Sequence, residues 1–203
     1  MRGNLAWILA ATFTLSGCAT AGSGVGSHRA SEPGILPPVG YGTLRQDQIS
    51  MDLQNGDLMV KVTPLAESVI RVAAPDTYQR LERLVDAQGA TAAASTPDGT
   101  PRLFLVSLYT RAAGVSFTPE DLQLVSGGVR YRPSAIVPIT PGWGRHRLEQ
   151  RETEMAIYAF SDQVDLESDD LIVAWGDRES FEWAQILPRV RAERARARAR
   201  AGS

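Results

Sequence analysis

Between Ile49 and Val62 the chain reads ISMDLQNGDLMVKV, and no other stretch restricts its fold as tightly. Apolar and polar residues alternate on both sides of Asn55-Gly56, a pair favoured in two-residue type I′ turns. With that loop, Leu53 faces Leu58, Met51 faces Val60 and Ile49 faces Val62. All six then share one face, while Ser50, Asp52, Met59 and Lys61 occupy the other. The stretch is read as a β-hairpin.

The following segments supply more strands than helices. SVIRVAA suggests a short strand that Pro75-Asp76 ends. Asp76 then caps a helix over TYQRLERLVDAQ, with Gln79 as its capping-box partner. Tyr78, Leu81, Leu84 and Val85 recur at helical spacing, and Gly89 suits the C′ position. After a loop, RLFLVSLYT is almost continuously apolar and β-rich, as in a central strand buried on both faces. Thr118 caps a single helical turn at Pro119-Glu120-Asp121. LQLVSGGVRYRP reads as a second hairpin around Gly127-Gly128, and EMAIYAF and DLIVAW add two further strands. Trp183, Ile186, Leu187 and Val190 mark a helical stripe that Pro188 breaks or kinks, and RAERARARARA continues it with good helix formers. Several short strands with turn signals between them predict a mainly β chain folded as a β-sandwich, with one inserted helix and a C-terminal helix.

The only cysteine, Cys18, closes a leader. Arg2 gives a small positive n-region, and Leu5 to Leu15 form an uncharged run of eleven residues. A membrane-spanning helix needs about twenty, so the run matches the h-region of a signal peptide. Leu15-Ser16-Gly17-Cys18 resembles the lipobox of bacterial lipoproteins. The thiolate is the nucleophile such a site needs to accept a diacylglyceryl group. By that resemblance, residues 1–17 are removed and Cys18 becomes an acylated N-terminus, carrying palmitate-type chains. Each buried methylene contributes about 0.8 kcal/mol, so several chains hold a protein on a bilayer. Ala19 after the cysteine, by resemblance to the sorting rule of enteric bacteria, implies the outer membrane, with the body facing the periplasm. The rival is Ala19-Thr20-Ala21, an A-x-A pattern for ordinary signal peptidase, which would leave no cysteine at all. A third reading makes Cys18 a buried core residue. With no second cysteine, no intramolecular disulfide forms, and the fold depends on packing alone.

Residues 18–43 are read as a flexible tether rich in Gly, Ser, Pro and Ala, in which His28 is incidental. Its twenty-five residues beyond Cys18 have a root-mean-square span of about 28 Å. Residues 44–187 are read as the sandwich domain and 188–203 as an Arg-rich helical tail. The formal net charge is −2, yet that tail holds six arginines and one glutamate, so an acidic body carries a basic end.

RLFLVSLYTRAAGVSFTPEDLQLVSGGVRYRP together with LIVAWG resembles immunoglobulin-like modules of bacterial lipoproteins of unknown function. In such modules a buried strand leads to a corner like Pro119-Glu120-Asp121-Leu122-Gln123-Leu124, then a glycine hairpin, then Tyr-x-Pro as at Tyr131 to Pro133. The resemblance covers roughly residues 57–176 and implies an immunoglobulin-like β-sandwich. It lacks the antibody cysteine pair, inserts the helix after Asp76, and brings no catalytic residues with it.

Two places are candidate binding surfaces. In PITPGWGRHRL, Gly142 and Gly144 free the backbone around Trp143, and Arg145, His146 and Arg147 suit an anionic group. The competing reading has Trp143 plugging the end of the sandwich, with the arginines paired to acidic neighbours. In the tail, Arg194, Arg196, Arg198 and Arg200 alternate with alanine. On a helix they spread charge over two sides and suit anionic phospholipid, lipopolysaccharide or another polyanion, or else merely solubilise a fraying end. The acidic loop SDQVDLESDD lacks the spacing of an EF-hand and is read as solvated rather than calcium-binding. No metal site and no cofactor are expected. His146 is the only histidine beyond the tether, no G-x-S-x-G elbow occurs, and nucleic acid is not an expected partner after export. The composite expectation is a membrane-anchored lipoprotein of the cell envelope whose module binds or scaffolds another envelope component. The alternative is an envelope hydrolase acting on glycans or peptides through Glu152, Glu154 or His146.

Overall fold

The hairpin forms, with its turn one residue later than the Asn55-Gly56 pair suggests. In the computed structural model, which describes residues 36–94 and 100–202, β1 (Met51–Asn55) and β2 (Leu58–Pro64) pair antiparallel with Asn55 opposite Leu58, Leu53 opposite Val60 and Met51 opposite Val62. The two loop residues are therefore Gly56 and Asp57, and Gly56 takes φ +59°. Positive φ at the first loop position is the type II′ requirement, which glycine meets at no steric cost. The register differs from the expected one by two residues on β2, and an even shift keeps every side chain on its face. Met51, Leu53, Val60 and Val62 are buried together as expected, and Ile49 is buried outside the strand.

Beyond the hairpin come α1 (Glu67–Ile70) and α2 (Pro75–Ala94), then β3 (Arg102–Thr110) and the two-residue β4 (Val115–Ser116). β5 (Leu122–Ser126), β6 (Val129–Tyr131) and β7 (Ala135–Pro138) follow. The chain ends with β8 (Arg147–Leu148), β9 (Thr153–Phe160), β10 (Ile172–Trp175), β11 (Arg178–Ser180) and α3 (Trp183–Ala201). Five strands form one sheet in the order β1-β2-β3-β9-β7, and four form a second in the order β11-β10-β5-β6. Every ladder is antiparallel. The chain is mainly β, with a β-sandwich-like arrangement of sheets and a few helices.

The cross-strand register sorts the core. Phe104, Val106 and Leu108 on β3 lie opposite Tyr158, Ala156 and Glu154 on β9, so these residues share one face. That face meets the second sheet: the Tyr158 hydroxyl donates to the Pro119 carbonyl at 3.0 Å, in the 3₁₀ turn leading into β5. The other face, with Leu103, Leu105 and Ile157, is covered by α2, whose Gly89 lies against Leu103. β3 occupies the middle of its sheet, and its run from Phe104 to Val106 is buried on both sides, as its unbroken apolar sequence predicts.

Three local expectations are corrected. SVIRVAA is not a strand: Val69 and Ile70 donate to the Ala66 carbonyl in α1, and Ala73 meets Leu44 only in an isolated bridge. Val69, Ile70, Val72 and Ala73 are all fully buried, and periodicity cannot separate a short buried strand from a buried helical turn. The inserted helix does not stop at Gly89 but continues to Ala94. Gly89 keeps a helical backbone there, and the alanine-rich residues after it propagate the helix. Finally, α3 runs unbroken through Pro188. The proline removes the N–H partner of the Ala184 carbonyl, and Ala184 is on the exposed side of the helix, where an unpaired carbonyl is least costly.

Candidate functional site

Trp143 opens a 3₁₀ turn of three residues and turns inward. Its ring packs edge-on against Phe117 at 5.2 Å and Tyr158 at 6.1 Å, leaving it 2 % exposed. It plugs the corner between the sheets and presents no ring face to solvent. The sequence leaves packing and binding open for this residue; burial assigns it to packing.

Around it, Arg145 joins two carboxylates. Its Nη2 contacts Glu152 and lies 3.4 Å from Glu154 Oε1, while its Nε donates to the Gly142 carbonyl at 3.3 Å. Glu154 is 2 % exposed and accepts a hydrogen bond from Thr140, whose own hydroxyl accepts from the Met155 N–H at 2.8 Å. A buried carboxylate needs such partners, because removing an ion from water costs several kcal/mol. The backbone N–H of Glu149 and the guanidinium of Arg145 hold the Glu152 carboxyl below its usual range. Glu152 is therefore ionised at neutral pH and has no proton to donate. Gly142 is fixed by the same cluster: a Cβ there would stand 1.7 Å from Glu154 Oε1.

His146 and Arg147 stay on the surface. His146 adopts φ +50°, and its ring tilts against Phe117 at 5.7 Å. The Arg147 guanidinium lies over Gly114 and reaches Glu149 Oε1 at 3.3 Å. Glu152 and Glu154 thus come together on Arg145, while the His146 ring faces elsewhere.

The tail is a docked helix. Trp183, Ile186, Leu187, Val190, Glu193 and Ala197 form its buried stripe. The Trp183 indole N–H donates to the Ser168 carbonyl at 3.0 Å, and Arg189 reaches the Gln48 carbonyl at 3.2 Å. Arg194 grips Glu167 with Nη1 and Nη2 at 2.9 and 2.7 Å, and donates from Nε to the Ser68 carbonyl at 2.7 Å. Glu193, an acid on the buried face of an arginine-rich helix, receives Thr43 Oγ1 at 2.8 Å and Arg200 Nη1 at 2.9 Å. Arg200 also donates to the Tyr41 carbonyl. Burial pushes the Glu193 carboxyl up, but the Arg200 and Thr43 hydrogen bonds and the charge of Arg196 outweigh it and hold it below its usual range. Among the four alternating arginines, Arg194 and Arg200 are spent on internal contacts. Arg196 is 68 % exposed, 3.6 Å from Glu193, and Arg198 pairs with no other described residue.

Two features escape a sequence reading. The face of the first sheet beyond α2 is open, leaving a groove of about 520 Å³ lined by Gln54, Met59, Lys61, Ser107, Tyr109 and Thr153. The alternation in the hairpin assigns Met59 and Lys61 to that face, but only the placement of α2 shows that nothing described covers them. The Thr43–Glu193–Arg200 cluster spans 150 residues in sequence and has no local signature.

In the acidic loop Asp165 accepts from the Glu167 N–H within the loop, and Asp170 accepts from the Gly127 N–H of the β5–β6 turn, both at 2.8 Å. Among the described residues, no group of three or more His, Cys, Asp or Glu side chains is placed to hold a metal ion. No described helix is long and apolar enough to cross a membrane. Cys18, the leader and His28 lie outside the described residues. No family model, curated protein or solved structure matches the chain.

Proposed function

We propose that the chain is a lipid-anchored protein of the cell envelope, acylated on Cys18, whose sandwich holds or scaffolds another envelope component. The observation that carries this reading is Leu15-Ser16-Gly17-Cys18 at the end of an eleven-residue uncharged run, the single place where a cysteine occurs. The sandwich is of the immunoglobulin-like kind. Supporting this are the two antiparallel sheets and the Tyr158 hydroxyl bonded to the Pro119 carbonyl, which joins a central strand of one sheet to the turn entering the other. The contact surface for the partner is the exposed part of α3, where Arg198 carries unpaired positive charge on one side and Arg196, 68 % exposed although 3.6 Å from Glu193, adds to it on the other. In the 140–147 loop, His146 and Arg147 are exposed as well, but Arg145 is neutralised by two glutamates.

Fractionating cells that express the wild type and Cys18→Ser tests the reading. The wild type should sediment with membranes, and the variant should appear in the soluble fraction. Equal membrane retention of both would remove the anchor from the account. Crosslinking in intact cells, followed by capture of the protein, identifies the partner.

A further inference from the structure

Beside α2 the first sheet presents two rows of side chains on its open face. Gln54, Met59, Tyr109 and Thr153 stand opposite one another across β1, β2, β3 and β9, and Asp52, Lys61 and Ser107 form the next row. Residues two apart on a strand share a face, and both rows line the same groove of about 520 Å³. Four strands set about 4.8 Å apart make the first row about 14 Å long, and the rows are about 7 Å apart.

Met59, 43 % exposed, and Tyr109 beside it give the groove an apolar middle. The hydroxyls of Ser107, Tyr109 and Thr153 have no hydrogen-bond partner among the described residues. Gln54 Nε2 donates to the Gly56 carbonyl at 3.1 Å, and its side-chain oxygen has no described donor. Lys61 Nζ and Asp52 Oδ1 meet at 2.6 Å, so the two charges cancel.

Each property removes a class of occupant. The paired Lys61 leaves no free cation for a phosphate or a carboxylate. A wholly apolar ligand would strip water from three hydroxyls and return no hydrogen bond, at a cost for each. An extended peptide joins a sheet through its main chain at a free edge, whereas β2 and β3 are paired on both sides. For a second copy of this chain the rows offer about 100 Å², against the ~800 Å² per partner of a stable interface. What fits is a small uncharged molecule with apolar ring faces and with hydroxyls that both donate and accept. The groove volume also lies within the range of small-molecule sites, about 300–1,000 Å³.

We propose that this groove binds a neutral oligosaccharide, with sugar C–H faces on Met59 and Tyr109 and sugar hydroxyls bonded to Gln54, Ser107 and Thr153. The tyrosine suits that role because its ring is apolar and its tip polar. The Asp52–Lys61 pair closes one side of the groove without giving it net charge. The site lies on the sandwich itself and does not depend on the lipid anchor.

The test follows the amide NMR shifts of the full chain with Cys18→Ser as cellohexaose, maltohexaose or N-acetylchitotetraose is added, all three uncharged. Glucose, the anionic oligogalacturonate and a serine-glycine peptide are titrated for comparison. Saturable shifts at Gln54, Met59, Lys61, Ser107, Tyr109 and Thr153 with at least one neutral oligosaccharide, weaker with glucose and absent with the other two, are the expected result. Tyr109→Ala should weaken binding about tenfold and Ser107→Ala about threefold to tenfold, while Val129→Ala on β6 leaves it unchanged. Should Tyr109→Ala fail to fold, Ser107→Ala with Thr153→Ala decides, since both keep their strands. No shift with any of the three neutral probes, shifts confined to other surfaces, an equal response to glucose, oligogalacturonate or the peptide, or unchanged affinity in the folded groove variants would each overturn the proposal.

Discussion

The carboxylate of Glu193, at a position where the helical stripe calls for an apolar residue, meets the guanidinium of Arg200 at 2.9 Å. Thr43 completes the cluster from the opposite end of the described chain. This one acid joins the entry segment to the last turn of α3. Removing it leaves Thr43 and two arginines without their acceptor, although the arginines still reach water. Glu193→Ala should therefore cost about 1–3 kcal/mol by denaturant titration, with increased amide exchange in both Tyr41–Leu44 and the last turns of α3.

The same acid carries a pH dependence. Its carboxyl is held below the ordinary value of 4.5, so the folded state favours the ionised form. The stabilisation is complete above the unfolded value and is lost as pH falls through the lower folded value. Melting temperature should decline below about pH 4.5, and Glu193→Gln should show a shallower decline over that range than the wild type. Parallel acid limbs would contradict the assignment.

Two glycines in one loop should behave oppositely. Gly142→Ala drives a methyl group to 1.7 Å from Glu154 Oε1, while at Gly144 an added Cβ meets nothing within 4 Å. The first substitution should destabilise by about 1–3 kcal/mol, since the clash forces Glu154 and Arg145 to shift and disturbs the hydrogen bonds of a buried carboxylate. Gly144→Ala should change stability by less than about 0.5 kcal/mol. Thermal melts of the pair decide the point.

Gly89→Ala should stabilise. The position is helical, and the new Cβ would stand 3.4 Å from Val85 and 3.5 Å from Leu103, ordinary packing distances. Replacing glycine inside a helix contributes about 0.5–1 kcal/mol, mainly by restricting the unfolded chain. A loss of stability in urea titration would show that Leu103 cannot accommodate the methyl group.

Tyr158→Phe isolates the link between the sheets. The hydroxyl is buried, and burial, with Glu120 and Asp121 nearby, pushes its ionisation up. Deleting it leaves the Pro119 carbonyl without this donor while the ring stays in place, at a cost of about 1–2 kcal/mol.

Much of the sheet architecture is legible in the sequence because alternation acts locally. β1, β2, β3, β5, β6, β9 and β10 all follow from runs of apolar residues bounded by glycine, proline or acidic turns. Gly56 shows the limit: a two-residue turn has two possible frames, and the sequence favours Asn55-Gly56 while the strands settle on Gly56-Asp57. α1 is missed because its buried apolar residues, Val69 and Ile70, and the buried Val72 and Ala73 after it look alike as a strand or as a helical turn. β7 and β11 are missed because Ala135–Pro138 and Arg178–Ser180 are short and lack alternation; they pair because β9 and β10 offer free edges. At the candidate sites, residue types are readable but partners are not. Nothing near Arg145 in sequence fixes its sharing between Glu152 and Glu154, and nothing near Arg200 points to Tyr41. Long-range pairing decides which arginines remain free.

The most direct test of the account is the intact mass of the protein extracted from membranes. The account predicts a polypeptide beginning at Cys18 with a diacylglyceryl group on sulfur. A chain beginning at Gly22 with no added hydrocarbon, as ordinary cleavage after Ala19-Thr20-Ala21 would leave, contradicts it.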